Sequence, residues 1–183
     1  MIALKILASL QDKKGREEHG FFLAEGPDVV AQLLTFNYPA DALFITEEGG
    51  RRYGELVAQC DSRQLPVERL TDKVFSKISD TKTHQGLALL CRLKRDVLPA
   101  HGPVVYLDSV QDPGNVGAVI RTAVAAGFTA VLAGKGCADF YHPKTVRACA
   151  GALGGIACLY DGDRMALNRL RKKGWTLLAT HCD

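Results

Sequence analysis

Long hydrophobic runs, paired cysteines and an excess of charge of one sign are all missing from this 183-residue sequence, and each absence removes a class of protein. The longest apolar stretches fall far short of the ~20 residues that a membrane span needs. The opening MIALKILASLQDKK is the one candidate for a signal peptide, but Lys5 interrupts a short apolar stretch and no basic residue precedes it, so it reads as a helix. The six cysteines (Cys60, Cys91, Cys137, Cys149, Cys158, Cys182) stand singly, with no C-x-x-C pair and no histidine at ligand spacing. That usage fits reduced thiols in the cytoplasm better than a zinc site or a secreted disulfide framework. Lys and Arg number 23 against 20 Asp and Glu, a formal charge of +3, which permits a nucleic-acid partner without implying one. There is no internal repeat and no low-complexity tract.

What the sequence does have is the composition of an ordinary globular protein, 47% hydrophobic and 23% charged, with length for one domain or two small ones. Helical and strand-like stretches alternate from end to end. Ala3 to Lys14 reads as one amphipathic helix, Phe21 to Ala24 as a strand, and Pro27 to Thr35 as a helix with proline in its first turn. Short strands follow at Ala42 to Thr46, Pro66 to Arg69 and Leu87 to Cys91, separated by helices around Arg51 to Cys60 and Thr71 to Ile78.

KRDVLPAHGP, from Lys94 to Pro103, breaks the pattern with two prolines, a glycine and no periodicity, and divides the chain into domains at 1–98 and 99–183. Beyond it the series is regular. Strands at Val104 to Leu107, Ala130 to Leu132, Ile156 to Tyr160 and Trp175 to Ala179 alternate with helices at Val116 to Ala126, Pro143 to Ala150 and Arg164 to Lys173. Such spacing indicates parallel strands joined by crossovers, so the expected fold class is α/β: a small N-terminal α/β domain, then the first part of a doubly wound parallel sheet.

The stretch richest in chemical signals is Asp108 to Gly127, DSVQDPGNVGAVIRTAVAAG, which leaves a strand and opens a helix. Pro113 and Gly114 read as the turn and Asn115 as the N-cap. Val116, Val119, Ile120, Ala123, Val124 and Gly127 share one face, leaving Arg121 about 120° from its centre. An arginine near a helix N-terminus gains nothing from the dipole, so its position suggests a partner outside the helix. Gly114 and Gly117 do not make the G-x-G-x-x-G dinucleotide turn, and Gly134-Lys135-Gly136 lacks the rest of a P-loop. On spacing alone a plain reading also stands, in which Asn115 only caps, the glycines only turn and Arg121 is solvated.

The segment D-x-x-x-DPGNVGAVIRTAVAAGF resembles the first signature motif of the SpoU-type (SPOUT superfamily) RNA ribose 2′-O-methyltransferases. Three further stretches agree in order and spacing: REEHGFFLAEG (Arg16 to Gly26), SDTKTHQG (Ser79 to Gly86) and PKTVRACAGA (Pro143 to Ala152). Cys149 and Ala150 depart mildly from the family, which has a serine there followed by a small or apolar residue. The family's second motif, a G-x-E-G loop, and its third, S-L-N-V-S, are absent from the sequence, so the resemblance implies a C-terminally incomplete member lacking the trefoil-knot segment. Residues binding S-adenosylmethionine are accordingly expected beyond Asp183.

The resemblance implies that the N-terminal part engages folded RNA, ribosomal or alternatively transfer RNA, through phosphate and 2′-hydroxyl contacts. Candidate RNA-binding residues are Lys14 and Arg16 in the basic cluster beside Asp12, Glu17 and Glu18, Gln85 in SDTKTHQG, and Lys144 and Arg147 one turn apart on a helix. Glu25 and Gly26 read as serving a turn. The implied reaction is methyl transfer from S-adenosylmethionine to a ribose 2′-oxygen, with Arg121 activating the hydroxyl and Asn115 orienting the site. An arginine is an awkward base, so binding the adjacent phosphate and stabilising the developing alkoxide suits Arg121 better. The expected setting is cytoplasmic, with a homodimer in the complete protein; the alternative is an RNA-binding fragment without activity. His84 and the scattered His19, His101, His142 and His181 receive no role.

Overall fold

The computed structural model describes residues 2–180, so His181 and Cys182 lie outside the described residues. In chain order the elements are α1 (Leu4–Ser9), α2 (Lys13–His19), β1 (Phe21–Glu25), α3 (Pro27–Thr35), β2 (Ala40–Thr46), α4 (Glu47–Arg52), α5 (Gly54–Ser62), β3 (Val67–Leu70), α6 (Asp72–Phe75) and β4 (Leu87–Arg92). After the irregular segment come β5 (Val104–Leu107), α7 (Pro113–Ala125), β6 (Ala130–Ala133), α8 (Pro143–Ala148), a short 3₁₀ turn (Ala152–Gly155), β7 (Ala157–Tyr160) and α9 (Met165–Lys172).

The strands form two sheets. The first is mixed, ordered β1-β4-β2-β3, with β4 antiparallel to both neighbours and β2 parallel to β3. The second, β5-β6-β7, is parallel throughout, as the alternation of short strands and crossover helices predicts.

Alternation along the strands divides the first sheet's side chains between two layers. Leu23, Ala42, Phe44, Ala88 and Leu90 face one way and pack with Leu7, Leu10, Phe75 and Ile78. Phe22, Ala24, Leu43, Ile45, Leu87 and Leu89 face the other and pack with Val29, Val30, Leu33 and Leu56 from α3 and α5. That second layer runs on without a break into Val116, Ile120, Phe140, Tyr141, Val146 and Leu153, so the two sheets share one apolar core. Gly151 lets the chain after α8 approach α3 closely, because a Cβ there would stand 2.6 Å from Cβ of Gln32.

Three expectations are corrected. Ala3 to Lys14 is two helices, not one: the chain turns at Leu10 to Asp12, and Arg16 donates to the carbonyls of Leu10 (2.9 Å) and Gln11 (2.8 Å), closing the end of α1. The helix read from Val116 begins at Pro113, because Asp112 rather than Asn115 supplies the cap. Trp175 to Ala179 forms no strand; the described residues there are irregular. Among the described residues the five cysteines are free thiols, and no helix is long and apolar enough to cross a membrane.

Candidate functional site

The loop that leaves β5 delivers the chain to α7, and the local sequence explains how. Asp112 has extended backbone and its carboxylate accepts the Asn115 N–H at 3.0 Å, while Pro113 occupies the first helical position, where its missing N–H costs nothing. The same carboxylate takes Nζ of Lys144 from α8 at 2.7 Å. Hydrogen bonds from Lys144 and from the Asn115 N–H hold the Asp112 carboxyl below the usual carboxylate range. Gly117 then allows α7 and α8 to cross in contact: a Cβ there would lie 2.6 Å from Cβ of Ala148 and 2.7 Å from the Thr145 carbonyl oxygen.

Asn115 and Arg121 are both exposed on α7. Six residues apart, they stand about 9 Å apart along the axis and about 120° around it, and no hydrogen bond joins them. Arg121 makes no ion pair among the described residues. Because α7 starts at Pro113, Arg121 lies in its third turn and not near its N-terminus, so the dipole argument lapses and only the absence of a partner remains.

The candidate RNA-binding residues separate by environment. Lys14 is exposed. Arg16 is not a surface residue: its side chain is 2% exposed, and its Nη2 lies 2.7 Å from the Asp139 carboxylate. The local charge pattern suggested a basic cluster, but α2 turns this one member inward, and Asp139 also accepts from Tyr160 and from the Tyr141 N–H (2.9 Å). Burial works against charge on Asp139, yet the hydrogen bonds from Tyr160 and Arg16 outweigh it and lower its pKa. Lys144 is exposed but paired with Asp112, and Arg147 is committed to Asp80, 2.7 Å away on SDTKTHQG. Gln85 is exposed and lines a shallow concavity of about 120 Å³ with Arg52, Asp72 and His84.

Glu25, read from sequence as a turn residue, anchors that loop: its buried carboxylate accepts the Ser79 hydroxyl at 2.6 Å and the Asp80 N–H at 2.9 Å. Sequence reasoning missed Asp80, Asp112 and Arg52 as parts of this surface. Only Asp112 had a local signal, an acidic residue directly before proline at a helix start.

A groove of about 440 Å³ runs along the free edge of β5, walled by Val105, Phe128, Leu132, Leu170 and Trp175. It offers apolar surface for an adenine ring, and among the described residues no acidic side chain lies on its wall.

Residues 102–183 match the SpoU rRNA Methylase family and residues 3–88 the MRM3-like substrate binding domain. The 23S rRNA (guanosine(2553)-2′-O)-methyltransferase RlmP of Bacillus subtilis is 34% identical over 143 residues, covering 78% of this chain and 55% of its own length. The mitochondrial rRNA methyltransferase 3 of Mus musculus is 30% identical over 164 residues, covering 80% of this chain and 37% of its own. This chain therefore spans about half or less of these relatives. A solved structure from Porphyromonas gingivalis, assigned to the TrmH family of RNA methyltransferases, is 32% identical with a TM-score of 0.78, covering 95% of this chain and 69% of the other. The AdoMet-bound rRNA methyltransferase of Sinorhizobium meliloti is 28% identical with a TM-score of 0.73, covering 91% and 64%.

Proposed function

Because this chain belongs to the SpoU rRNA methylase family, we propose that it serves methylation of a ribose 2′-hydroxyl in ribosomal RNA, with S-adenosylmethionine as methyl donor. The observation that carries the reading is the exposed surface of α7, where Asn115 follows the Asp112–Lys144 pair and Arg121, about 9 Å further along the axis, makes no ion pair among the described residues. The division into residues 1–98 for RNA recognition and 99–183 for catalysis, the cytoplasmic setting and a homodimer belong to the same proposal.

When bound, the donor supplies an electrophilic methyl group; the chain's own residues act on the RNA. Arg121 grips the phosphate next to the target ribose with its planar fork and stabilises the alkoxide as the hydroxyl loses its proton. Asn115, with one amide donor group and one acceptor, orients the ribose. Lys14 and Gln85 contact the backbone on the recognition side, and Lys144 adds charge when the phosphate competes for it with Asp112. Arg16 takes no part.

A second reading is that this chain binds RNA but does not hold the donor; among the described residues, the groove along β5 has an apolar wall without an acidic side chain. Calorimetric titration of the chain with S-adenosylmethionine, alongside filter binding of unmethylated 23S rRNA transcript, separates the two. Binding of both ligands supports the methyl-transfer reading, and RNA binding alone supports the second. Failure to bind RNA overturns both.

A further inference from the structure

Helix α8 lies between the two parts of the surface just described, and the first half of the chain holds it at both ends. Before it, Asp139 takes the buried Arg16; in its last turn, Arg147 reaches Asp80. Its other side rests on α7 at Gly117, and its first turn sends Lys144 to the α7 cap. A continuous chain of contacts therefore runs from Glu25 through Ser79 and Asp80 to Arg147, along α8 and into the turn that presents Asn115.

The Asp80–Arg147 link in this chain is not a simple stabilising bridge. The two side chains are 33% and 32% exposed, a setting in which ion pairs add little to stability. Nη1 of Arg147 is shielded from solvent and meets no acceptor among the described residues. By contrast the Asp80 end is fixed firmly: Glu25 holds its N–H and the Ser79 hydroxyl, and Gln11 donates to the Ser79 carbonyl at 2.8 Å. A rigidly seated carboxylate aimed at a helix on the other half of the chain is a means of setting register, at some cost in hydrogen bonding.

We propose that Asp80 and Arg147 are a positioning pair that fixes the Ser79–Gly86 loop relative to the start of α7, so that RNA seated on the loop is presented to Asn115 and Arg121. The inference rests on the RNA-directed reading above. Neither residue touches the reacting atoms.

The test is amide hydrogen exchange of the full chain, free and bound to unmethylated 23S rRNA transcript. In the wild type, RNA slows exchange both in residues 79–86 and in residues 112–118. With Arg147→Met, RNA still protects 79–86 while the protection at 112–118 is lost, and affinity stays within about fivefold of the wild type. Asp80→Asn, which keeps the N–H bonded to Glu25, gives the same split and guards against misfolding of the helix variant. The charge-reversed pair Asp80→Arg/Arg147→Asp restores protection at 112–118, which a loss of general stability would not do. Protection of both segments in the single variants, or of 79–86 alone in the wild type, overturns the proposal while leaving the RNA-directed reading intact. If the wild-type chain does not bind the transcript, that reading fails and the positioning role fails with it.

Discussion

The guanidinium of Arg16 lies 2.7 Å from the carboxylate of Asp139, 123 positions further along the chain. One side chain thus closes the end of α1 through the Leu10 and Gln11 carbonyls and ties the first half of the chain to the approach to α8. Removing it leaves a shielded carboxylate without its cation, an error that costs about 3–5 kcal/mol in comparable buried pairs. Arg16→Met is expected to lower the unfolding free energy by about 3 kcal/mol in urea titrations. A loss below about 1 kcal/mol would place the pair among ordinary surface bridges.

The same pair governs behaviour in acid. Burial alone would raise the Asp139 pKa, but the hydrogen bonds from Tyr160 and Arg16 depress it. The folded protein therefore favours the carboxylate more than the unfolded chain does. Its contribution is complete above the unfolded value near ~3.9 and is lost as pH falls below that towards the lower folded value. Unfolding midpoints measured from about pH 5 downwards should drop more steeply for the wild type than for Arg16→Met, in which the main cationic partner is gone. Parallel acid limbs would remove Arg16 from this account.

These two residues also mark the limit of what the sequence discloses. The α3 helix at Pro27–Thr35 and the strand Val104–Leu107 are read to the residue, because proline and a compact apolar run are local signals. The break between α1 and α2 is hidden because no proline or glycine marks Leu10 to Asp12, and the guanidinium that stabilises the break is on the far side. Asn115 reads as the cap because it directly precedes the apolar face, whereas a proline can stand inside the first turn, which moves the cap back to Asp112. The Arg16 side chain points inward to a partner that only the tertiary fold brings near, and charge counting near Lys13 and Lys14 cannot reveal that.

The crossing of α7 and α8 depends on a missing side chain. Gly117→Ala would set a methyl group 2.6 Å from Cβ of Ala148 and 2.7 Å from the Thr145 carbonyl oxygen. Overpacking of this kind costs about 1–3 kcal/mol, and for a domain of this size each kcal/mol lowers Tm by about 2–4 °C. Adding Ala148→Gly removes the methyl neighbour but not the carbonyl, so it is expected to recover part of the loss. Full retention of Tm in Gly117→Ala would mean that the helices do not touch there.

Ala150 carries strain that a glycine would relieve. Its φ is +49°, in the left-handed region, directly before Gly151 at +79°. A left-handed conformation costs an L-residue about 1–2 kcal/mol, partly offset in glycine by the greater freedom of the unfolded chain. Ala150→Gly should therefore raise stability by about 0.5–1 kcal/mol in thermal unfolding. A fall in Tm would show that the alanine methyl packs more favourably than its backbone is strained.

Arg121 is the residue at which stability and function should separate. It is exposed and makes no ion pair among the described residues, so both Arg121→Lys and Arg121→Met are expected to leave the unfolding free energy within about 0.5 kcal/mol of the wild type. Affinity for RNA depends on charge: lysine preserves the number of phosphate contacts, while methionine removes one and lowers the slope of log K against log salt by about 1. Methyl transfer depends on geometry as well, because a planar fork can hold a phosphate oxygen and the developing alkoxide together and a point charge cannot. Arg121→Lys should thus bind unmethylated 23S rRNA transcript with the wild-type salt slope yet lose most methyl transfer, measured with labelled S-adenosylmethionine. Full activity in the lysine variant would reduce the role of Arg121 to a point charge, and an unchanged salt slope in the methionine variant would take it out of the RNA interface altogether.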